Sequence, residues 1–337
     1  MKHPSRTWAV RSRALVCAAA TVMAATLAPA TASADTVTFG TIAPKQSIWG
    51  KVLQVWQAAV KKKTDGTLEL EVFYNGTQGD DATMIGKLKS GQLDGAAVSS
   101  IGLAKVHKPM LVLQLPGVFR TWEALDKARD SLNDEFVAAA EKEGYYVSIG
   151  DIGRLRGMSK GFAVRTPADL AGKNVLSYRH ETMGPALWQM VEKVNLVEKS
   201  PTEVLPTLKT KGIDFMSAPM LAAEQLQWVS QLDHISSESA VMAIAGTVWS
   251  KKRIDGLPAD VRAILMDTGK IAGAALRKKV READDAAFVR ASEKMTVVTP
   301  TAEERKTWES LFKRTIEKLK QGTFSPELVE KVVAMGG

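Results

Sequence analysis

The chain has little of what metal centres, disulfide frameworks and nucleic-acid-binding surfaces require. Its 337 residues include a single cysteine, Cys17, and four histidines scattered along the sequence. Residues 35–337 therefore offer no disulfide, thiolate metal site or cysteine nucleophile. The scattered histidines lack the spacing of metal ligands. The formal net charge is +8, and residues 1–34 hold four cations and no acid, which leaves +4. An excess this small does not indicate nucleic-acid binding.

Signatures of catalysis are also scarce. No Ser-His-Asp order, phosphate-cradling glycine loop or close pair of carboxylates stands out in the sequence. His180 beside Glu181 suggests metal binding or acid–base chemistry, but no cluster of ligand residues accompanies the pair. The sequence therefore predicts no enzyme, no cofactor and no metal site.

Residues 1–34 have the features of a secretory signal peptide. Four basic residues precede residue 14, an alanine-rich apolar stretch covers residues 14–27, and Ala32-Ser33-Ala34 provides a small-x-small cleavage site. The apolar stretch is too short to span a bilayer as a stable helix. We expect cleavage after Ala34, a periplasmic location and no membrane insertion afterwards. An uncleaved membrane anchor is the alternative.

The chain beyond residue 35 alternates between strand and helix patterns. Residues 36–42, 68–74 and 92–98 are predicted strands, and residues 49–63 and 80–89 are predicted helices. This β-α-β-α-β order is typical of a largely parallel sheet that binds ligands at the carboxyl ends of its strands.

The second part of the chain is predicted to contain another such unit. Residues 158–164 read as a strand that crosses between two lobes, and Thr166 to Gly172 form one helical turn before a strand at 173–178. A buried strand covers 241–250. The remaining patterns are helical and cover 259–295, 302–320 and 326–335.

Four motifs occur in a fixed order. Residues 91–99 read Gly-x-x-Asp-x-x-x-x-Ser, residues 115–120 read Leu-Pro-x-x-Phe-Arg and residues 167–172 read Pro-x-Asp-Leu-x-Gly. Residues 203–219 read Glu-Val-x-x-x-Leu-x-x-Gly-x-x-Asp-x-x-x-x-Pro, except that Lys211 stands at the position of the glycine. In this order the motifs resemble the dicarboxylate-type (DctP) solute-binding proteins of tripartite ATP-independent periplasmic (TRAP) transporters.

The resemblance spans nearly all of residues 36–320. It implies an α/β, two-lobed periplasmic-binding-protein fold (type II-like), in which each lobe is a mainly parallel sheet flanked by helices and long C-terminal helices bridge the lobes. Lobe 1 would comprise 35–156 with about 244–280, and lobe 2 would comprise 157–243 with about 281–337. The implied function is capture of a small organic ligand between the lobes and its delivery to integral-membrane transporter subunits.

The sequence departs from this family at the positions that usually hold the ligand. In the family an arginine binds a substrate carboxylate in a bidentate manner, through two parallel N–H···O hydrogen bonds. Counting along the motifs places Leu155 and Leu176 where the family has arginines, Ala218 where it has an asparagine and Pro201 where it has an aromatic residue. Four ligand-holding positions have therefore lost their polar or aromatic groups.

Two interpretations of the ligand are possible. In the first, Arg154, Arg156 or Arg179 binds the ligand carboxylate, because the sequence register is shifted relative to the family. In the second, the pocket is apolar and takes a neutral or amphipathic ligand. Losing a bidentate charge pair costs about 1.5–3 kcal/mol, so a carboxylate held in the usual way is disfavoured. We favour the second interpretation, because four residues would form one apolar wall. The apolar wall would consist of Leu155, Leu176, Met216 and Ala218.

Loops at strand ends supply the other candidate ligand-binding residues. For the aromatic members the alternative is core packing, and for the two serines it is the start of a helix. These candidates are Trp49, Gln78, Ser99, Ser100, Phe119, Tyr178 and Trp228. A further alternative for the whole protein is a binding protein that serves a different exporter or a sensor.

Overall fold

A computed structural model describes residues 34–336, so the predicted signal peptide, apart from Ala34, lies outside the described residues. A nine-stranded mixed sheet runs through this part of the chain. Its strands are β1 (Asp35–Thr41), β2 (Leu68–Phe73), β3 (Gly95–Ser99), β4 (Tyr145–Ser159), β5 (Asn174–Tyr178), β6 (Asn195–Lys199), β7 (Phe215–Pro219), β8 (His234–Ser250) and β9 (Thr296–Val298).

The sheet has two mainly parallel halves joined by two long strands. The strand order is β2-β1-β3-β8-β4-β7-β5-β6, and β9 pairs with β8. We call β2-β1-β3 the first half and β7-β5-β6 the second half; within each half the neighbouring strands run parallel. The long strands β4 and β8 pair antiparallel with each other and run beside both halves. This is the α/β architecture that the sequence predicts.

Helices flank the sheet and the longest of them comes after β8. They are α1 (Ile48–Lys63), α2 (Asp81–Ser90), α3 (Ser100–His107), α4 (Trp122–Lys142), α5 (Met183–Trp188), α6 (Pro201–Lys209), α7 (Met220–Gln225), α8 (Lys251–Asp255), α9 (Ala259–Ser292), α10 (Ala302–Lys320) and α11 (Pro326–Gly336). Across residues 34–336, none of these helices combines the length and the apolar character needed to cross a membrane.

Local chemistry accounts for where several helices begin. A short 3-10 helix at Pro167–Leu170 starts with a capping box, in which the Asp169 carboxylate accepts the backbone N–H of Thr166 at 2.8 Å. At the start of α6, the Glu203 carboxylate likewise accepts the backbone N–H of Ser200 at 2.8 Å. The helical turn predicted after Thr166 is therefore confirmed.

Helix α9 is bonded to several elements around the centre of the sheet. Arg281 of α9 donates to Asp126 of α4 at 2.8 Å and to Asp151 of β4 at 2.7 Å. One turn later, Asp284 accepts the backbone N–H of Leu221 in α7 at 2.9 Å. Asp151 and Asp284 are both buried, so the loss of a partner would leave a buried carboxylate without compensation. These bonds therefore hold α9 in one position against the sheet.

Some predicted strand boundaries were wrong. The strand predicted at 158–164 is the end of β4, which is 15 residues long and stops at Ser159. Gly161 then adopts φ +79°, a turn conformation in which the strand does not continue. Strand β8 starts at His234 rather than residue 241, and β6 has no counterpart in the sequence prediction.

Candidate functional site

Strand β4 places three consecutive side chains around the centre of the sheet. Leu155 pairs with Pro219 of β7 and with Val241 of β8, and register shifts flank it in the pairing with β8. Side chains of a strand alternate between its faces, so Leu155 points away from Arg154 and Arg156. This alternation separates an apolar cavity from a charged cleft.

The apolar cavity, which we call the inner cavity, has a volume of about 190 Å³. Roughly six water molecules occupy the same volume in liquid water. The carboxyl ends of β5 and β7, the start of α3 and the middle of β8 contribute its walls. Apolar residues that line it include Leu155, Leu176, Met183, Leu187, Ala218 and Leu226.

Ionisable groups are few in the inner cavity. Glu181 is the only side chain with a formal charge among its lining residues, and no lysine, arginine or histidine lines it. Tyr178, Trp188 and Trp228 add aromatic surface to the wall. A cavity with this lining repels anions and provides no cation to pair with a carboxylate.

Glu181 is held by the turn that comes after β5. Its backbone N–H donates to the carbonyl of Tyr178 at 3.1 Å, and its carboxylate accepts the backbone N–H groups of Met183, at 2.8 Å, and Gly184. Burial raises the pKa of the Glu181 carboxyl, and the backbone N–H groups of Gly184, Met183 and Thr182 lower it in part. Burial, with a smaller contribution from Glu181, also raises the pKa of Tyr178.

Ser177 is a lining residue of the inner cavity and has an unpaired hydroxyl. The residue is 1% exposed, and among residues 34–336 its oxygen finds no hydrogen-bond partner. A buried polar group without a partner costs about 1–3 kcal/mol. A ligand atom that bonds to this hydroxyl would remove the penalty.

Ser99 and Ser100 form the edge of the inner cavity at the start of α3. The Ser99 hydroxyl caps this helix by accepting the N–H of Ile101 at 3.2 Å. Its own N–H donates to the Asp81 carboxylate at 2.6 Å. Asp81 is 1% exposed and its other oxygen has no partner in the described part of the chain. Burial, the main cause, raises the pKa of Asp81 to about 6.

A larger cleft, which we call the outer cleft, adjoins the inner cavity. Its volume is about 900 Å³, and both cavities have Leu155, Trp188, Ser217 and Trp308 in their walls. The outer cleft contains five side chains with a positive charge and two with a negative charge. These are Arg120, Arg154, Arg156, Arg305 and Lys313, and Glu238 and Glu309.

Both arginines beside Leu155 line the outer cleft, and both already have partners. Arg154 forms an ion pair with Asp285 of α9, and its guanidinium lies 5.0 Å from the Trp122 ring centre. Arg156 donates to the backbone carbonyl of Ser237, and its guanidinium lies 3.9 Å from the ring centre of Phe288. Neither arginine lines the inner cavity.

The residues selected from the sequence fall into three groups. Ser99, Ser100, Leu155, Leu176, Tyr178, Ala218 and Trp228 line the inner cavity. Phe119, Arg154 and Arg156 line the outer cleft, as does Leu155. The third group lines neither space and consists of Trp49, Gln78, Arg179 and Met216.

Each member of the third group has other contacts. The Gln78 side chain accepts a hydrogen bond from Lys87 at 2.9 Å, and Arg179 pairs with Glu203 at 3.1 Å. Met216 is fully buried and Trp49 packs on the same hydrophobic core as Met216. Their side chains therefore point into structural contacts instead of the inner cavity.

Sequence reasoning missed several residues that line the inner cavity, among them Ser177, Glu181 and Trp188. A carboxylate just after the carboxyl end of a parallel strand was the available signal for Glu181, because ligands bind at that edge. Ser177 gave no such signal, because alternation along β5 places it opposite to Leu176 and Tyr178.

Residues 157–161 also match the Gly-x-Ser-x-Gly pattern of serine hydrolases. Ser159 lies directly opposite His234 in the sheet, and His234 contacts Asp233 at 2.6 Å. The Ser159 hydroxyl, however, donates to the carbonyl of Phe162 at 2.5 Å, and the residue is 2% exposed. A buried serine that bonds to a backbone carbonyl is not poised as a nucleophile.

The chain is similar in sequence to known bacterial solute-binding proteins. The sequence model of bacterial extracellular solute-binding protein, family 7 (DctP), matches residues 39–322. The 2,3-diketo-L-gulonate-binding periplasmic protein YiaO of Escherichia coli is 26% identical over 225 residues, which are 66% of this chain and 68% of that protein. The C4-dicarboxylate-binding periplasmic protein DctP of Vibrio cholerae is 24% identical over 290 residues, 85% of this chain and 86% of that one.

Solved structures share the fold at lower identity. The sugar acid binding protein DctPAm from Advenella mimigardefordensis, in complex with galactonate, has a TM-score of 0.84 and 20% identity over 90% of this chain and 98% of that one. A TRAP periplasmic solute-binding protein from Sulfurospirillum deleyianum, with bound succinate, has a TM-score of 0.83 and 19% identity over 90% and 99% of the two chains.

Proposed function

Since this chain belongs to the bacterial extracellular solute-binding proteins of family 7, which are receptors and not enzymes, we propose that the inner cavity is its solute site. We further propose that its solute is small and largely apolar and carries no carboxylate. One observation carries this second proposal: the residues that line the inner cavity include no cation, and their only charged member is Glu181.

The physical argument rests on the desolvation of charge. A carboxylate that enters the inner cavity would lose its water, meet Glu181 at short range and find no arginine. Leaving such a charge unpaired in a buried site costs about 3–5 kcal/mol. An apolar solute gains instead from contact with Leu155, Leu176 and Ala218, at roughly 25 cal/mol for each Å² of surface removed from water.

The remaining parts of the mechanism are proposals that rest on family membership. After export and cleavage behind Ala34, the receptor would close its two lobes, 35–156 with about 244–280 and 157–243 with about 281–337, over the solute. The closed form would then deliver the solute to the integral-membrane subunits of a TRAP-type transporter. The long strands β4 and β8 support this division because they run beside both halves of the sheet.

Mass spectrometry of the molecule that co-purifies with the mature protein tests the proposal. We expect an apolar solute without a carboxylate, and we expect it to be lost from Ala218→Leu, which fills the inner cavity. Ala168→Leu adds the same atoms at an exposed turn and should retain the solute. A dicarboxylate or sugar acid that is lost from Ala218→Leu and retained by Ala168→Leu would contradict the proposal.

A second candidate function is the capture of an organic acid in the outer cleft. The excess of cations in that cleft favours it, and two of them, Arg154 and Arg156, are adjacent in sequence to Leu155, which lines both spaces. Titration of Arg156→Met with succinate and galactonate separates the two candidates. If the second candidate is right, the wild-type protein binds one of these acids and the variant loses at least about tenfold in affinity. Our first proposal predicts no binding of either acid by the wild-type protein.

A further inference from the structure

The turn after β5 places two different polar groups in the wall of the inner cavity. Ser177 is the next-to-last residue of β5, and Glu181 closes the turn by donating its N–H to Tyr178. Both residues line the cavity, and so does Tyr178. The rest of the surrounding wall is mostly apolar, so the polar end of any solute has few places to bind.

The two groups have unused hydrogen-bonding capacity. Each Glu181 oxygen accepts one backbone N–H, from Met183 or Gly184, and a carboxylate oxygen has lone pairs for one more donor. The Ser177 hydroxyl has no partner within residues 34–336. A group with several N–H donors is therefore a better match for this wall than a group that only accepts.

The charge of the wall leads to the same conclusion. Glu181 faces no cation across the inner cavity, and the nearest arginines of β4 are engaged by Asp285 and by the carbonyl of Ser237. Burial raises the pKa of Glu181, the response of a carboxylate that lacks a countercharge. Aromatic faces such as those of Tyr178 and Trp228 also attract cations.

We propose that the solute of the inner cavity is a small primary amine with an apolar body, whose ammonium group binds between the Glu181 carboxylate and the Ser177 hydroxyl. Its carbon skeleton contacts Leu155, Leu176 and Ala218. This proposal rests on the proposed function, because it assumes that the inner cavity is the solute site. It adds the class of solute and the two residues that select it.

Calorimetric titration with matched probes tests this inference. The probes are primary alkyl- and arylalkylamines of about four to ten carbons, each with the alcohol and the carboxylate of the same skeleton, such as 2-phenylethylamine, 2-phenylethanol and phenylacetate. We expect at least one amine to bind at least about tenfold more tightly than its alcohol, and its carboxylate to bind most weakly. If an alcohol binds and its amine does not, this inference fails and the proposed function stands. If a carboxylate binds most tightly, both fail, and if no amine binds, the inference fails.

Two variants assign the selectivity to named residues. Glu181→Gln should weaken amine binding by at least about tenfold and leave alcohol binding within about threefold. Glu192→Gln makes the same change at an exposed position outside the cavity and should leave amine binding unchanged. Unchanged amine binding by folded Glu181→Gln would overturn the assignment.

Ser177→Ala provides a second and independent signature. Because it removes a buried hydroxyl without a partner, the variant should be at least as stable as the wild-type protein. Its affinity for the amine should nevertheless fall about fivefold. A variant that binds the amine as tightly as the wild-type protein would show that Ser177 does not contact the ammonium group.

Discussion

The inner cavity and the outer cleft are neighbours with opposite chemistry. Leu155 lies in the wall of both, yet the outer cleft has five side chains with a positive charge and the inner cavity has none. Arg154 and Arg156 are adjacent to Leu155 in sequence, and each is bonded away from the inner cavity. A cationic residue that is adjacent in sequence to a lining residue therefore does not show that the pocket itself is positively charged.

The difference arises from strand geometry and from the partners of each arginine. Alternation along β4 directs Leu155 and its neighbours to different sides. Asp285 and Phe288 of α9 then stabilise the two guanidinium groups on their own side. The positive charges of these two arginines are therefore engaged in contacts with α9. The only charged side chain that lines the inner cavity is Glu181.

The largest predicted effect comes from giving the inner cavity the cation that it lacks. Leu155→Arg should lower the affinity for a neutral or amine solute by about 1,000-fold, or ~4 kcal/mol, because a buried charge replaces apolar contact surface. Titration calorimetry measures it. Leu155→Met conserves volume and should change the affinity by less than about tenfold. Unchanged affinity in Leu155→Arg would mean that the solute binds elsewhere.

A pH-dependent effect is expected at the edge of the inner cavity. Burial raises the pKa of Asp81 from 3.8 to about 6, so the folded state holds this proton more tightly than the unfolded state. The resulting stabilisation is complete below about pH 4 and is lost as the pH rises through about 6. Asp81→Asn should therefore nearly match the wild-type protein at pH 4 and exceed its free energy of unfolding by about 3 kcal/mol at pH 8. Chemical denaturation at both pH values measures this, and a difference independent of pH would contradict it.

Ion pairs of the outer cleft should contribute little to stability. Arg305 of α10 pairs with Glu238 of β8, and both side chains are 39% exposed. Solvent screens such pairs, so Arg305→Ala should lower the free energy of unfolding only slightly. Urea denaturation gives the value. A loss as large as that expected for breaking a buried ion pair would mean that the pair is much less solvated than its exposure indicates.

The smallest expected effect concerns salt. Salt screens exposed charges and barely affects an apolar contact. The dissociation constant of an uncharged solute in the inner cavity should change by less than about twofold between 0.02 and 0.5 M sodium chloride. A strong weakening by salt, measured by titration, would point to binding at the cations of the outer cleft instead.

Much of the fold can be derived from sequence patterns, and the failures have local causes. The helix at Ala302–Lys320 was predicted to the residue, because Thr301 and Glu304 form a capping box before an amphipathic run. The predicted strand at 158–164 captured only the end of β4, because Gly153 and Gly157 interrupt the apolar pattern before it. Strand β6 was missed, since an edge strand with the sequence Asn-Leu-Val-Glu-Lys shows little alternation.

The candidate site was harder to derive. Leu155, Leu176 and Ala218 were found by counting along motifs, and they line the same cavity. The direction of Arg154 and Arg156 could not be derived, because it depends on register shifts in β4 and on partners in α9. Glu181 enters the cavity through the turn after β5, which depends on the φ of +68° at His180.

A crystal structure of the mature protein with its co-purified solute tests the central claim most directly. Our account predicts density for the solute in the inner cavity, against Leu155, Leu176 and Ala218, with its polar end at Glu181. Density in the outer cleft, with a carboxylate bonded to Arg154 or Arg156, would contradict it.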